Sequence, residues 1–296
     1  MDDKVLDRLE FLRHIRKLVI LAMFSDDELM DRLVLKGGNL LDIVYQLSAR
    51  ASLDIDLSMS GEFDDVIKLG SRVRKTLECT FEEHGYVVFD FKLREVPPKL
   101  SEDMKDFWGG YRIEFKLIDF SKYQSLEGDL GELRKHAANV GERGSTVFKI
   151  DISKHEFCDE KQLFEIDDHS VFGYSPEMFV AEKLRAICQQ MEEYVKVVKL
   201  NPRPRPKDFV DIQVIAQHYG INFDRNEVRG IIRQTFASKK VPLELLGKIQ
   251  EYRDFHEQGY NAVEATVYPD FPLEDFGFYF DYVCKRCEQL KPLWDE

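Results

Sequence analysis

Apolar residues recur at helical spacing over positions 3–24, at Leu6, Leu9, Leu12, Ile15, Leu18, Val19 and Met23. That period predicts an amphipathic helical lead-in. "SDDEL" breaks it before a second short helical stretch. The pattern then shortens. "RLVLKGG" reads as a brief strand ending in paired glycines, "NLLDIVYQLSAR" as a helix with Leu40, Val44 and Leu47 on one stripe, and "ASLDIDLSM" as a strand by its alternation. "DDVIKLGSRVRKTLECTFEEHG" is the next helix, followed by three alternating segments, "YVVFDFKLREV", "GGYRIEFKLIDF" and "STVFKIDISKHEF".

From "GYSPEMFVAEKLRAICQQMEEYV" onward the period is helical again, with "NPRPRP" as a rigid connector and further helices over 207–218, 225–236, 242–253 and 274–290. The order predicts an α+β protein in which a mixed sheet with helices on one or both faces fills residues 1–170. A helical part over 171–296 completes it.

Composition narrows the chemistry. The 296 residues are 44% hydrophobic, enough for a sizeable core, and carry a formal net charge of -13. A generally basic, nucleic-acid-coating surface is excluded, so any polyanion has to be met locally. The five scattered cysteines do not resemble a disulfide framework, and a reducing cytoplasm fits them better. Cys284 and Cys287 form a CxxC that no second CxxC or His pair completes. The acidic N-terminus is unlike a signal peptide, and no run of about 18 apolar residues suggests a membrane span. No HExxH, GxSxG or GxxxxGK[ST] pattern occurs.

The stretch that carries chemistry is "LKGGNLLDIVYQLSARASLDIDL", residues 35–57. In a strand alternate side chains share a face, so Asp54 and Asp56 project together while Ile55 and Leu57 pack behind. Paired carboxylates repel unless a cation lies between them, and an all-oxygen set suits Mg²⁺ with substrate phosphates and water. An edge strand with a solvated acidic face has the same pattern. Gly37 and Gly38 change the weighting: they follow a strand and open a helix, where backbone N–H groups can approach a phosphate, and Asn39 can cap that helix.

"KGGNLLDIVYQLSARASLDID" resembles the first motif of the DNA polymerase β-like nucleotidyltransferases, hG[GS] followed by a helix and DhDh. The "LKGG…R.S.DIDL" version is most similar to the AbiEii/AbiGii toxin group. "VFKIDIS", "PEMFVAEKLRAI" and "RPKDFVDIQVI" follow in the family's order as the third-acid strand, the lysine helix and the KDxxD motif. The resemblance implies a polymerase β-like fold and a toxin of a toxin–antitoxin or phage-defence pair, with an antitoxin from a neighbouring gene. It implies two Mg²⁺ ions, ~3.5 to 4 Å apart, held by Asp54, Asp56 and Asp151 and clamping the α-phosphate of a nucleoside triphosphate. Lys36, Gly37, Gly38, Asn39, Ser52, Lys183 and Lys207 would surround the nucleotide, with Asp208 and Asp211 lining its pocket. The acceptor would be a tRNA 3′ end or a protein hydroxyl.

Each role has a structural counterpart. Glu114 alternates as suitably as Asp151 for the third carboxylate. Lys183 has only Phe179, Val180, Ala186 and Ile187 at helical neighbour positions, so no acid on its own helix is expected to pair with it, and its stem can lie on apolar surface. Asp208 suits a helix N-terminus for dipole reasons alone, and Lys207 can reach Asp211 at i+4. Arg50, Arg203 and Arg205, with Lys36, are candidate phosphate or RNA contacts. Asn39 stands where the family usually has Ser or Thr; its amide can donate to a phosphate instead. Two other functions share the motifs: a small-molecule nucleotidyltransferase of the antibiotic-modifying type, and a nucleotide- or antitoxin-binding module without catalysis.

Overall fold

The computed structural model describes residues 3–47, 54–140, 144–199, 201–268 and 270–294, with side chains from residue 8 onward. Arg50, Ser52 and the end of the expected "NLLDIVYQLSAR" helix lie outside them. Helix α1 spans Asp3–Phe24 as the periodicity predicts, and Ile15, Val19 and Ala22 on its inner face are fully buried. Helix α2, Asp27–Arg32, starts at Asp26, whose carboxylate accepts from the Leu29 amide.

Strand β1 is Val34–Lys36, and it turns at once into the single turn α3, Gly37–Asn39, which continues as a π-helical turn over Leu40–Val44. The expected long helix here is therefore short and wide-wound. Asn39 lies inside it and makes no capping bond. Strand β2, Ile55–Ser58, and helix α4, Val66–Glu83, follow. Asp65 caps α4 by accepting from Ile67 and Lys68, and Leu69, Val73, Leu77 and Phe81 form its buried stripe. Strands β3, Tyr86–Val96, β4, Gly110–Asp119, and β5, Phe148–Ser153, match the three alternating segments; the short helices α5, Phe120–Ser125, and α6, Leu130–Lys135, link the last two.

A hairpin that the sequence pattern did not reveal comes next. Strands β6, Gln162–Ile166, and β7, His169–Gly173, meet at Asp167 and Asp168, both at positive φ, as a two-residue hairpin turn requires. The seven strands form one sheet in the order β3-β4-β5-β2-β1-β7-β6. β2 is the central strand, parallel to β5 and antiparallel to β1, and β1 is parallel to β7. One face packs Leu35, Ile55, Leu57, Ile150 and Ile152 into the core, with α1 and α4 against the sheet.

The helical part begins with α7, Pro176–Cys188, started by Ser175 as N-cap and Pro176 at the first position. The single helix expected to Val195 is broken, and α8 starts afresh at Glu192–Val198. α9, Pro206–His218, and α10, Asn226–Ala237, both pack on α7. A 3₁₀ segment, Leu243–Tyr252, stands where a helix over 242–253 was expected; α11, Arg253–Glu257, α12, Tyr260–Glu264, and α13, Phe276–Gln289, finish the chain. The fold is α+β as predicted, with α7–α13 following the last strand as an all-helical C-terminal part. Strand β7 runs across residue 170, and one buried core extends from Leu12 to Leu293.

Candidate active site

Strand register builds the site. Asp56 on β2 stands opposite Lys36 on β1 and beside Asp151 on β5, and Asp151 in turn stands opposite Arg112 on β4. A row of four charged side chains thus crosses the polar face of the sheet in the order Arg112, Asp151, Asp56, Lys36. All four line a cleft of about 410 Å³ between the sheet and α7. Arg112 grips Asp151 with both arms of its guanidinium, Nε to Oδ1 at 2.7 Å and Nη2 to Oδ2 at 2.9 Å. Asp56 is partly accessible from the cleft but ringed by protein. Poor solvation pushes its carboxyl up to about 6; Lys36 and Lys183 oppose the rise, and the charge of Asp151 adds to it.

Glu114, the alternative third acid, sits further along β4 in register with Lys149 and pairs with Arg94 at 3.0 Å. Asp151 is the carboxylate brought beside Asp56. Asp54 lies at the exposed bend before β2, outside the cleft wall but near enough to Arg112 to favour its charge.

The glycine turn is fitted to Asp56. Gly37 has φ +69°, and a Cβ there would lie 2.7 Å from Asp56 Oδ2. Asn39 is fully buried, its amide donating to the Asp54 carbonyl oxygen at 2.6 Å and its Oδ1 accepting from Arg16 Nη1 at 3.1 Å. Arg16 also pairs with Asp42 at 2.9 Å. The expectation that the Asn39 amide faces a phosphate is thereby corrected: it ties the glycine turn to the segment entering β2, with its donor committed inside the fold.

Lys183 is also placed differently from the expectation. Its ammonium lies 3.1 Å from Asp208 and 3.8 Å from Asp211 on the neighbouring α9, and 3.9 Å from Glu182, an acid of its own helix that spacing rules had set aside. Burial alone would lower its pKa, but Asp208, Glu182 and Asp211 outweigh it and hold the lysine charged. Arg205 Nε holds the other oxygen of Asp208 at 2.5 Å. Burial pushes Asp208 upward; Arg205 and Lys183 overcome this and keep it below the usual carboxylate range. The lysine helix and the KDxxD motif therefore meet each other as a buried ionic clasp. Arg205 reaches the cleft wall from that clasp, whereas Arg203 and Lys207 are exposed.

Arg112, Glu156, Arg185 and Lys239 line the cleft but were missed by sequence reasoning. Glu156 is 2.6 Å from Arg185 Nη1, 3.5 Å from Lys36 Nζ and 3.6 Å from Lys239 Nζ. Burial would raise the Glu156 pKa, but Arg185, Lys36 and Lys239 hold it far below the usual range.

The donor chemistry of Asp56 fits a hard cation: its ligand atoms are oxygens, and it carries a desolvated charge beside the Asp151 carboxylate that a cation would relieve, while Asp54 offers the same oxygen chemistry from the bend outside the cleft wall. Asp151 fits less well, because Arg112 already holds both its oxygens. Among the described residues no group of three His, Cys, Asp or Glu side chains is arranged to hold a metal ion, and no helix is long and apolar enough to cross a membrane.

The family model described as "Nucleotidyl transferase AbiEii toxin, Type IV TA system" matches residues 19–282. Two solved structures share the fold. JHP933 from Helicobacter pylori aligns with a TM-score of 0.50 and 15% identity, covering 100% of this chain and 95% of that one. A candidate nucleotidyltransferase from H. pylori aligns with a TM-score of 0.50 and 16% identity over 100% of this chain and 98% of that one. No curated protein matches the chain.

Proposed function

Because the chain belongs to the AbiEii nucleotidyltransferase toxin family and is a nucleotidyltransferase, we propose that it transfers a nucleotidyl group from a nucleoside triphosphate to a tRNA 3′ end or a protein hydroxyl, in a Mg²⁺-dependent reaction at Asp54 and Asp56. The observation that carries this reading is the register that sets Asp56 beside Asp151 in the wall of a cleft. Asp54 and Asp56 would hold the metal, which when bound supplies charge neutralisation at the phosphate oxygens.

The chain's own residues do the rest. Asp151, oriented by Arg112, accepts the proton of the acceptor hydroxyl. The hydroxyl oxygen bonds to the α-phosphorus as the bond to the β-phosphate bridging oxygen breaks, and pyrophosphate leaves with that electron pair. Gly37 keeps the turn low enough to leave Asp56 in place. The Lys183 clasp positions α7 and α9 along the cleft, which makes this lysine a brace rather than a direct phosphate ligand. The toxin–antitoxin class of the family implies an antitoxin partner, and growth arrest by modification of host RNA or protein is the proposed outcome of release from it.

Incorporation of labelled nucleoside triphosphates into total tRNA or lysate protein, with and without Mg²⁺, tests the reading, with Asp56→Ala as control. Metal-dependent labelling lost in the variant is expected. Labelling of a small acceptor alone would move the protein to the antibiotic-modifying class. No transfer to any acceptor would leave a binding module.

A further inference from the structure

The cleft floor contains an electrostatic imbalance that the carboxylate chemistry does not use. Glu156, Arg185, Lys36 and Lys239 are each at least nine-tenths buried, and all four line the cleft. One carboxylate serves three cations. Arg185 has a second acid, Glu182, at 4.0 Å, shared with Lys183, and Lys36 has Asp56 across the strand pair. Lys239 pairs with Glu156 alone among the described residues, at 3.6 Å, and Glu156 is already closer to Arg185. Its ammonium otherwise donates to the Lys154 carbonyl oxygen and lies over the Trp108 ring.

A buried ammonium with a fraction of one counter-charge is costly unless something anionic joins it. The protein's net charge of -13 makes this local excess of positive charge a specific feature and not a reflection of the whole surface. The shift of Lys239 has the same sense: burial lowers its pKa to about 8, Glu156 opposes this, and Arg185 and Lys36 add to it. The Nε donor of Arg185 has no hydrogen-bond partner among the described residues. Lys183 is closed into its clasp with Asp208 and Asp211, so a triphosphate tail has to find its cations elsewhere.

We propose that Lys36, Arg185 and Lys239, gathered on Glu156, form a polyphosphate site that receives the β- and γ-phosphates of the nucleotide and holds the pyrophosphate that leaves. The assignment rests on the nucleotidyltransferase reading for the identity of its ligand. The site's position supports it: Lys36 is common to the cluster and to the strand pair that carries Asp56, so an anion there lies alongside the reacting carboxylates. Glu156 holds the cluster together: without it three cations would face one another in a buried cleft.

Isothermal titration of the full-length protein with inorganic tripolyphosphate, without nucleotide or metal, reads the site directly. Wild type is expected to bind. Lys239→Gln is expected to weaken binding at least tenfold with a thermal midpoint at or above wild type, while the exposed neighbour change Lys240→Gln leaves binding unchanged. Lys36→Gln gives a second, independent loss should Lys239→Gln fail to fold. Absence of wild-type binding, or unchanged binding in a folded Lys239→Gln, overturns the proposal. Displacement of tripolyphosphate by a short oligonucleotide lacking a terminal triphosphate, but not by a nucleoside triphosphate, overturns the nucleotide assignment. Transfer activity is measured separately: tripolyphosphate binding that depends on Lys239 in a protein without transferase activity keeps the site and sinks the activity, and transferase activity indifferent to Lys239 does the reverse.

Discussion

The Gly37 turn and the Asp56 carboxylate occupy adjoining space, with room for a hydrogen but not for a methyl group: a Cβ on Gly37 would fall 2.7 Å from Asp56 Oδ2. Gly37 also has φ +69°, a conformation that costs an L-residue about 1–2 kcal/mol. Gly37→Ala is therefore expected to lower unfolding free energy by at least that amount and to displace Asp56. Transfer activity should fall by more than the lost stability explains, as seen by comparing activity with denaturation midpoints at one temperature.

Asp56 itself should be a destabilising residue in the free protein. Its folded pKa, about 6, lies above the unfolded carboxylate value, so the folded state holds a proton that the unfolded state releases. The resulting stability is fully present below the unfolded value and is lost as pH rises through about 6. Asp56→Asn is accordingly expected to raise the unfolding free energy at neutral pH by on the order of 1–2 kcal/mol once partial access from the cleft is allowed for, and with it the thermal midpoint, and to leave stability at pH 4 nearly unchanged. Thermal melts at both pH values check this. A midpoint lowered at neutral pH would mean that the ionised carboxylate supports the fold.

The same pKa sets the activity profile. If transfer requires ionised Asp56, kcat/KM should fall as pH drops through about 6. Rates measured from pH 5 to 8 at saturating metal, and again at limiting metal, decide the point. A cation at the site favours the ionised form and should move the fall to lower pH.

Asn39→Ala removes a buried amide that serves Arg16 and the Asp54 carbonyl together, and so costs two hydrogen bonds inside the fold. A loss of about 2–4 kcal/mol is expected in chemical denaturation. Asn39→Ser, although closer to the family pattern, should restore little, because the shorter hydroxyl cannot reach both partners.

Lys183→Met opens the clasp between α7 and α9 and leaves Asp211 without the ammonium that stands 3.8 Å away. A destabilisation of about 3–5 kcal/mol is expected, as for other broken buried ion pairs. Loss of activity in this variant is informative only beside its melting curve; a variant with wild-type stability and no activity would return the lysine to the nucleotide.

The sheet face was legible because alternation is a local signal. "FKIDIS" and "DIDL" each announce which residues point together, and parallel pairing then brings Asp56 to Asp151. The ionic clasp was not legible in the same way. Spacing on one helix finds neighbours at three and four residues, but the acids that hold Lys183 include two from α9. The β6–β7 hairpin escaped because Gln162, Leu163 and Glu165 on its edge strand are all exposed, which blurs the alternation. Glu156 escaped for a sharper reason. It follows His155, which takes φ +55° just after β5, and that single left-handed residue ends the alternating parity. Lys239 sits in the turn after α10, where no period exists to mark it as buried.

The sheet order has one more consequence, for the protein as it is synthesised. A ribosome that has released residues through Asp151 has already delivered Gly37, Asp56 and Arg112, yet β1 still lacks its parallel neighbour β7, and neither Lys183 nor Lys239 has emerged. A nascent chain that ends before α7 therefore carries the most recognisable part of the motif without the helix that walls the cleft.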